Sequence, residues 1–439
     1  MTQLSNVQVG SDRASQPTVK QPSRTQTIIL AGIVGNVIEW YDFALYGYLT
    51  PVISRLFFPN ENPMISLLES YGVFAAGFIM RPLGAIIFGY IGDRVSRRTE
   101  LFISVILMAI PTFMLGLLPD YHQIGITAPI ILIILRLLQG LSVGGEFTGS
   151  VTYVAETAPQ TRRGFTASFA NVGSTAGLLL GLGIVTLMTH WLPDKSLQTW
   201  GWRLPFLLGG ILGLIGLYIR SNLPDSEIFQ QHHENDSVPW FKALRQSLNP
   251  MLQAMFYTGG YSAACYITMV YLPSYLVQFT NFSLSHALGI NAVALAVQLG
   301  IIPLMGWLSD TTLRRKFWLL ITTMSMALFS LPAFWFLFQD YPAKVWVVQI
   351  GLAILLVPLL AISPAMMVEL FPTETRLTAY SLSGNLGSCI MGGTSLLVCT
   401  WLINVSGNVY APAIYLSGLM VVSTIALAFM RDRSREPLL

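Results

Sequence analysis

The sequence has few charged residues for its length. Only 10% of its 439 residues are Asp, Glu, Lys or Arg, whereas a typical soluble domain has about 25%. Hydrophobic residues make up 53% of the chain, and the mean hydropathy is +0.61. Because so few charges cannot cover a water-facing surface, the composition excludes an ordinary soluble protein and indicates that a lipid bilayer surrounds most of the chain.

Cysteine is also scarce, and the short motifs of nucleotide-binding and catalytic sites are missing. Cys265, Cys389 and Cys399 all lie in apolar segments, which favours free thiols over disulfides. The segment VGSTAG lacks the lysine of a phosphate-binding loop and lies inside an apolar run. The segment QHHENDS could suggest metal binding through His232 and His233, but a solvated linker explains it better. The sequence therefore predicts no enzyme activity, no cofactor, no metal and no nucleic-acid partner.

Apolar runs long enough to cross a bilayer, which takes about 20 residues, occur twelve times. They lie near residues 27–49, 67–91, 99–118, 127–155, 165–190, 203–220, 250–278, 286–308, 317–338, 345–368, 377–402 and 410–430. The pattern predicts an all-α integral membrane protein made of two six-helix bundles. Its parts would be a disordered polar tail (1–26), a first bundle (27–220), a linker (221–249), a second bundle (250–430) and a short tail (431–439).

The basic residues predict the orientation of these spans. Of the 24 Lys and Arg, two lie inside spans, and only Arg55, Lys195, Arg203 and Lys344 fall on the side away from the two tails. Loops rich in Lys and Arg stay in the cytoplasm. Both termini and the linker are therefore expected there.

The two halves of the chain repeat two short patterns. GYIGDRVSRR follows the second span and GWLSDTTLRR follows the eighth, with Gly, Asp and the basic pair at equivalent places. Glu156, Pro159 and Arg163 follow the fourth span, and Glu, Pro and Arg recur at the same spacing after the tenth, from Glu369 to Arg376. Two matches in equivalent loops indicate a duplicated six-helix unit, which is common among secondary transporters.

GYIGDRVSRR resembles the signature loop of the major facilitator superfamily, with Ser96 where that family usually has Gly. NVIEWYDFALYGYL, GFIMRPLG, RLLQGLSVGGEFTG, YVAE and WGWRLPF together resemble its metabolite:proton symporter branch, which includes carriers for citrate, α-ketoglutarate, shikimate and proline/betaine. The resemblance covers nearly the whole chain from Gly32. It implies alternating access by two rocking bundles and proton-driven uptake across a bacterial inner membrane. Gly177 is followed by Leu178 rather than by the Pro of drug:proton antiporters, which disfavours efflux.

The resemblance also implies a conformational latch in the repeated loops. Ion pairs there would hold neighbouring helices together while the cytoplasmic side is closed. The residues concerned are Gly89, Asp93, Arg94, Arg97, Arg98, Glu156, Arg163, Asp310, Arg314, Arg315, Glu369 and Arg376.

Glu39 and Asp42 lie in the middle of the first span, where a charged residue costs about 2.5–3.5 kcal/mol. Three residues apart on a helix, they share a face with Gly35 and Tyr46. Such acids normally face a bundle interior or a wet cavity, and an acid without a partner there tends to take up a proton. Both are therefore predicted as proton-coupling residues, together with Glu146 of the fourth span.

Arg81 and Arg136 are the candidate partners of these acids. At about 1.5 Å of rise per residue, Arg136 lies level with Glu39 and Asp42, whereas Arg81 lies deeper, toward Glu146. We therefore expect Arg136 to pair with Glu39 or Asp42, and Arg81 to lie on a path to Glu146. Either arginine could instead grip a substrate carboxylate with its planar fork. Static pairs that only hold the helices together remain an alternative.

The second half has no charged residue well inside a span. We therefore expect it to contribute the shape of the binding site and neutral hydrogen bonds to the solute. Gly259 and Gly260 could let the seventh span bend at a binding site. Besides the two arginines, the predicted substrate contacts are Asn36, Tyr46, Gln139, Tyr261, Tyr266, Asn291, Gln298 and Asn385.

The sequence thus predicts a monomeric symporter that imports a small carboxylate-bearing solute with protons. A zwitterion of the proline/betaine type or a small organic acid is favoured, because two buried arginines already face three acids. A citrate- or α-ketoglutarate-type carrier stays open, and so does a non-transporting receptor. The chain stops soon after its last span at MRDRSREPLL, too short for a coiled coil, so osmosensing through such a coil is not expected.

Overall fold

The protein is described here by a computed structural model that covers residues 24–94, 97–221, 245, 247–280, 282–338, 342–372, 376–436 and 438. Every predicted span falls on a helix, and no strand occurs in these ranges. The first half contains α1 (Arg24–Phe57), α2 (Pro63–Ile79), α3 (Arg81–Arg94), α4 (Arg97–Leu117), α5 (Tyr121–Ile124), α6 (Thr127–Thr157), α7 (Arg163–Trp191), α8 (Asp194–Ser196) and α9 (Arg203–Ser221). The second half contains α10 (Leu248–Cys265), α11 (Leu272–Phe279), α12 (Leu284–Thr311), α13 (Arg315–Leu337), α14 (Pro342–Leu370), α15 (Arg376–Gly387), α16 (Ser395–Ser406) and α17 (Ala411–Phe429).

Three predicted spans are built from two helices each. α2 and α3 form one, α10 and α11 another around a wide π-helical turn (Tyr266–Tyr271), and α15 and α16 a third around a similar turn (Ser388–Gly393). Eight helical segments of the described chain are long and apolar enough to cross a membrane by these criteria alone, and a bent pair (Asp194–Gly201 with Arg203–Tyr218, 42°) makes a ninth. The first predicted span, which carries Glu39 and Asp42, lies on α1.

The outer surface of the bundle is apolar. Large side chains such as Leu214, Leu328, Val347 and Phe429 are each at least 65% exposed. A soluble monomer rarely presents so many exposed large hydrophobic residues, whereas acyl chains solvate them well. The exterior therefore agrees with the bilayer that the composition predicted.

Glycines let helix α6 approach α2 and α3 backbone to backbone. A Cβ at Gly140 would overlap the carbonyl oxygen of Gly77, and one at Gly144 would overlap that of Arg81. Gly84, on α3, is equally close to the carbonyl oxygen of Leu141. This seam fixes the position of Arg81 relative to the polar face of α6.

Proline explains the wide turn in the seventh span. Pro273 has no N–H to bond the carbonyl of Met269, and in the π turn the N–H of Leu272 bonds Ile267 rather than Thr268. Side chains replace the missing donors, because Asn291 Nδ2 bonds Met269 O at 2.7 Å and a glutamine of α14 bonds Thr268 O. The irregularity thus lies at Tyr266–Tyr271. The expectation of a bend at Gly259–Gly260 is wrong, since both glycines lie within α10, packed against Gly387 and Ser423.

The two halves face each other along two seams. Helix α7 packs against α1 in its own half and against α12 and α14 in the other. Helix α15 packs against α3 and α6. Polar groups cross these seams, for example Asn171 Nδ2 to Leu360 O at 2.7 Å and Asn385 Nδ2 to Gly144 O at 2.7 Å. The space left between the seams holds the candidate site.

Candidate functional site

A cavity lies between the two halves, in the middle of the bundle. The volume open to the centres of water molecules is about 70 Å³, and one water occupies about 10–15 Å³ on this measure. The cavity thus has room for a few waters or a small solute. Side chains that line it include Glu39, Trp40, Arg81, Asn171, Tyr261, Cys265, Tyr266, Ser363, Tyr380 and Asn385.

One acid and one arginine line this cavity. Glu39 is 2% exposed and Arg81 is 6% exposed. The Arg81 guanidinium lies over the ring of Phe78 at 4.0 Å and over that of Phe43 at 4.7 Å. Tyr266, from the other half, is close enough to interact electrostatically with both Arg81 and Glu39. The lining therefore offers two opposite charges within one small space, with no net fixed charge.

Aromatic rings form much of the remaining wall. Trp40 and Tyr266 stack with their centroids 6.2 Å apart and an angle of 15° between the rings, although they belong to different halves. Phe78 packs edge-on against Tyr266 at 5.1 Å. On the second half, Tyr261 lies parallel to Tyr257 at 6.4 Å. Faces of Trp and Tyr attract cations through their ring quadrupoles, and so this wall suits a positively charged group.

Asp42 lies outside the cavity lining, in a separate network of hydrogen bonds. Its Oδ1 accepts from Thr112 Oγ1 at 2.5 Å, and its Oδ2 accepts from Gln139 Nε2 at 2.8 Å. Gln139 Oε1 in turn accepts from Arg136 Nη1 at 2.9 Å. Arg136 therefore reaches Asp42 through Gln139, and no direct ion pair joins the two among the described contacts. Of the two expected partners of Arg136, Asp42 is the one that these contacts reach.

Phe43 links the two arginines. The Arg136 guanidinium lies 5.0 Å from the centroid of Phe43 and 4.6 Å from that of Tyr46, and Arg81 contacts Phe43 as well. The two guanidinium groups therefore contact the same ring. The ring of Phe43 thus connects Arg81, which lines the cavity, with Arg136 of the Asp42 network.

Glu146 is 2% exposed and accepts a hydrogen bond from Ser104 Oγ at 3.0 Å. It belongs to the contact between α6 and α4, where Ser142 Oγ also donates to Ser104 O. Arg81 shares the cavity with Glu39, and a path from Arg81 to Glu146 stays a prediction. The sequence gives only the depth of each residue along its helix axis. Which residues a side chain contacts also depends on its direction around the helix.

The predicted substrate residues separate into two groups. Arg81, Tyr261, Tyr266 and Asn385 line the cavity. Those outside the lining are Asn36, Tyr46, Arg136, Gln139, Asn291 and Gln298. Most of their polar atoms bind the protein itself, whereas Arg136 Nε, Arg136 Nη2 and Gln298 Oε1 are buried without a hydrogen-bond partner among the described residues.

Four residues of the second group connect helices. Asn36 Nδ2 bonds Ser150 Oγ and Ala170 O, and Tyr46 OH bonds Ser70 O. Asn291 supports the π turn described above, and Gln298 Nε2 bonds Ala353 O at 2.9 Å. In this closed conformation none of the four faces the cavity.

Several cavity residues were missed from the sequence. Trp40 stands between the two buried acids and could have been found, because its neighbours were already singled out. Asn171, Tyr380 and Ser363 gave no comparable signal. Ser363 is one polar residue in an apolar run, and Asn171 and Tyr380 lie among other small polar residues. Only the packing of the halves shows that these three face the cavity.

Ion pairs close the bundle at the end where α1 begins and α17 ends, here called the near end. Arg163 Nη1 bonds Glu369 Oε1 at 2.8 Å, and Arg376 Nη1 bonds Glu156 Oε1 at 2.6 Å. Each pair joins an acid of one half to an arginine of the other. The helices that these pairs join belong to different halves.

Asp310 and Arg315 extend this near-end gate. Asp310 accepts from the backbone N–H groups of Gly164 and Phe165, both at 2.9 Å, and so caps the start of α7 in the other half. Arg315 bonds Asp310 at 2.6 Å and also bonds Glu369. Arg314 is exposed and takes no part in these described pairs. The side chains of Asp93, Arg94, Arg97 and Arg98, and the surroundings of Gly89, lie outside the described residues.

The opposite, far end is closed without ion pairs among the described residues. Tyr71 of α2 meets Tyr271 of the π turn with centroids 5.8 Å apart. Gly47 of α1 packs directly against the Val270 side chain. The cavity is thus shut at one end by charge and at the other by rings and close apolar packing.

Replacing Glu369 by Gln is expected to destabilise the protein, because Arg163 and Arg315 would lose their shared carboxylate. Breaking a buried ion pair by removing one partner costs about 3–5 kcal/mol. We expect the Tm of the detergent-solubilised protein to fall by at least about 5 °C. Glu436→Gln is the matched control, since the Glu436 side chain is 44% exposed and its pairs with Arg431 and Arg433, at 3.4 and 3.9 Å, are worth about 0–1 kcal/mol. Equal Tm values for Glu369→Gln and Glu436→Gln would show that the ion pairs of Glu369 do not stabilise the protein.

The sequence matches the Major Facilitator Superfamily over residues 33–396. It is 34% identical over 433 residues to the glycine betaine/proline/ectoine/pipecolic acid transporter OusA of Dickeya dadantii (strain 3937), over 96% of this chain and 86% of that protein. It is 32% identical over 433 residues to the proline/betaine transporter of Escherichia coli (strain K12), with the same shares covered.

Solved structures share the fold. The partially occluded, inward-open xylose transporter XylE from E. coli is 19% identical with a TM-score of 0.76, covering 95% of this chain and 100% of that one. A D-xylose-proton symporter structure is 20% identical with a TM-score of 0.72 and the same coverage. At such identities the likeness concerns the fold alone, which is twelve membrane helices in two bundles. The predicted fold class is therefore confirmed.

Proposed function

Because the chain belongs to the Major Facilitator Superfamily and is a multi-pass membrane transporter rather than an enzyme, we propose that it imports a small zwitterion together with protons. Proline and glycine betaine are the favoured solutes. Relatives at 34% and 32% identity are named as carriers of these compounds. Cavity chemistry and the placement of Asp42 support the proposal from within this chain.

The observation that carries the proposal is the pair of opposite charges in the cavity, Glu39 and Arg81. A guanidinium can bind a carboxylate through two parallel hydrogen bonds. A quaternary or secondary ammonium group would then lie against the faces of Trp40 and Tyr266, with Glu39 nearby. A di- or tricarboxylate would bring two or three negative charges to a lining with no net charge. The lining therefore favours a zwitterion.

We assign the coupling proton to Asp42. It is 4% exposed, lies outside the cavity lining, and is joined to Arg136 through one neutral side chain. Arg136 and Arg81 both contact Phe43, so that solute binding at Arg81 has a physical route to the Asp42 network. In this proposal Glu39 serves the solute and Asp42 serves the proton.

Transport would proceed by alternate opening of the two ends. The near end carries most of the basic loop residues, which by the positive-inside rule makes it the cytoplasmic end, with both termini there. A bacterial inner membrane is the proposed location, and a monomer the proposed working unit. Release to the cytoplasm would then require both near-end ion pairs to break.

The test is solute-driven proton movement in reconstituted vesicles that contain a pH dye. Proline, glycine betaine, shikimate, α-ketoglutarate and citrate would be added in turn. Acidification with proline or glycine betaine is the expected result. Acidification with citrate or α-ketoglutarate alone would replace the zwitterion with an organic acid, and silence with the whole panel would overturn the symport proposal.

Cys265 allows binding to be located in the cavity, because it lines that space. In a background carrying Cys389→Ser and Cys399→Ser, a small maleimide would report access to Cys265 alone. At about ten times Kd, the transported solute should slow alkylation about tenfold, in proportion to the occupied fraction. Solutes of the panel that are not transported serve as controls and should leave the alkylation rate unchanged. Equal alkylation with and without the transported solute would place the binding site elsewhere.

A further inference from the structure

Asp42 is held by two neutral side chains, and one of them has a choice of hydrogen-bond acceptor. Thr112 Oγ1 lies 2.5 Å from Asp42 Oδ1 and 2.8 Å from Met108 O, one turn back in α4. A hydroxyl has a single proton to donate, although it can accept twice. Thr112 can therefore donate to the carboxyl group or to the backbone, but not to both.

The two choices match the two charge states of Asp42. When Asp42 is ionised, it accepts from both Thr112 and Gln139. When Asp42 is protonated, its own O–H can donate to Thr112 Oγ1, which then turns its proton to Met108 O. Gln139 Nε2 lies 3.0 Å from Thr112 Oγ1 and 2.8 Å from Asp42 Oδ2, and can donate to both with its two protons. The same heavy atoms satisfy either state.

We propose that Thr112 is a hydrogen-bond switch that holds Asp42 in both of its protonation states, while Gln139 keeps Asp42 one side chain away from Arg136. The inference rests on the proposed function, because it takes Asp42 as the coupling acid. Thr112 is a positioning residue in this scheme, and it carries no net charge at any stage. Only the direction of one O–H bond changes.

Gln139 contributes by separating the two charges. Its amide is oriented by its partners, with Oε1 toward Arg136 and Nε2 toward Asp42. Asp42 can therefore gain or lose a proton without making or breaking a direct ion pair. The other titratable group that faces it is Tyr41 of its own helix, whose hydroxyl donates to Pro205 O near the start of α9. From α4 it meets the neutral Thr112.

The test compares Thr112→Val, which keeps the branched shape, with Thr112→Ser, which keeps the hydroxyl. Thr50→Val is the control, because Thr50 is equally buried and its hydroxyl donates to Tyr46 O in its own helix, α1. Two rates are measured in vesicles: exchange of labelled for unlabelled solute as a function of pH, and uphill accumulation driven by a pH gradient. Elution profile and Tm show that each variant is folded.

Exchange requires protonated Asp42 and should decline at alkaline pH. Thr112→Val removes a donor from the ionised carboxylate, and hydrogen bonds to charged groups are the stronger ones. The alkaline decline should therefore move up by about one pH unit, and uphill accumulation should slow about tenfold. Thr112→Ser and Thr50→Val should keep the wild-type profile.

A wild-type profile in Thr112→Val would overturn the switch, and so would the same shift in Thr112→Ser. In an Asp42→Asn background, Thr112→Val should cause no further change in the pH profile, and an additional shift there would also overturn it. Failure of the proposed function has a different signature, since wild-type vesicles would then show no solute-driven acidification at any pH. That result would overturn both proposals, whereas failure of the switch alone leaves wild-type coupling intact.

Discussion

Asp42→Asn should abolish uphill accumulation of the solute and leave solute exchange running. With two pH units across the membrane and one proton per solute, the wild type can accumulate solute about a hundredfold. An amide resembles the protonated acid in shape and charge, but it has no proton to release. The variant should therefore equilibrate the solute to a ratio of about one while still exchanging labelled for unlabelled molecules.

Glu39→Gln separates coupling from binding. Glu39 lines the cavity and Asp42 does not. Glu39→Gln should therefore weaken solute binding, and the variant should still accumulate the bound solute against its gradient. The measurement is the final accumulation ratio at saturating solute, taken beside the apparent Kd. If gradient-driven accumulation survives in Asp42→Asn, then Asp42 is not the coupling acid. If it is lost in Glu39→Gln at saturation, the two assigned roles are reversed.

Gly140→Val should destabilise the fold, because it would force two helix backbones apart. Its Cβ would overlap the Gly77 carbonyl oxygen, which belongs to the backbone of α2 and cannot rotate away. Helix α6 would have to move outward and would take Arg136 and Gln139 with it. Overpacking a core costs about 1–3 kcal/mol when side chains can adjust, and so a backbone contact should cost at least about 3 kcal/mol.

Gly149→Val is the matched control on the same helix, because nothing lies within 4 Å of a Cβ at that position. The two variants would be compared by yield of monodisperse protein, Tm and solute exchange. Gly140→Val should lose most of its folded yield, and Gly149→Val should keep it. A Gly140→Val protein with wild-type Tm and exchange would show that α6 does not pack on α2 as closely as described.

The sequence predicted the helices well because apolar length is a property of the local chain. All twelve spans fall on helices, and both acids of the first span are buried as expected. Pairings were harder, because depth along a helix says nothing of direction around it. Arg136 is level with Asp42, as counted, yet Gln139 lies between them, one turn further along α6.

Polar residues inside spans were the least predictable part of the site. Asn291 looks like a ligand for solute, but its Nδ2 bonds Met269 O, 22 positions away in the sequence. It thereby replaces the backbone N–H that Pro273 lacks. Recognising that role requires knowing that α12 passes beside the π turn. Trp40, by contrast, lies in the stretch that already drew attention through its two acids, and only its aromatic character was undervalued.

The near-end ion pairs have the geometry of a symmetric dimer interface. Glu156 meets Arg376 and Glu369 meets Arg163, so that each acid of one repeat finds the arginine of the other at the equivalent place. In a two-fold homodimer, residue i contacts residue j and j contacts i, so that one acid and one arginine per subunit make two bonds. The near-end gate is therefore built from one acid and one arginine, each used twice across the pseudo-two-fold axis that relates the halves.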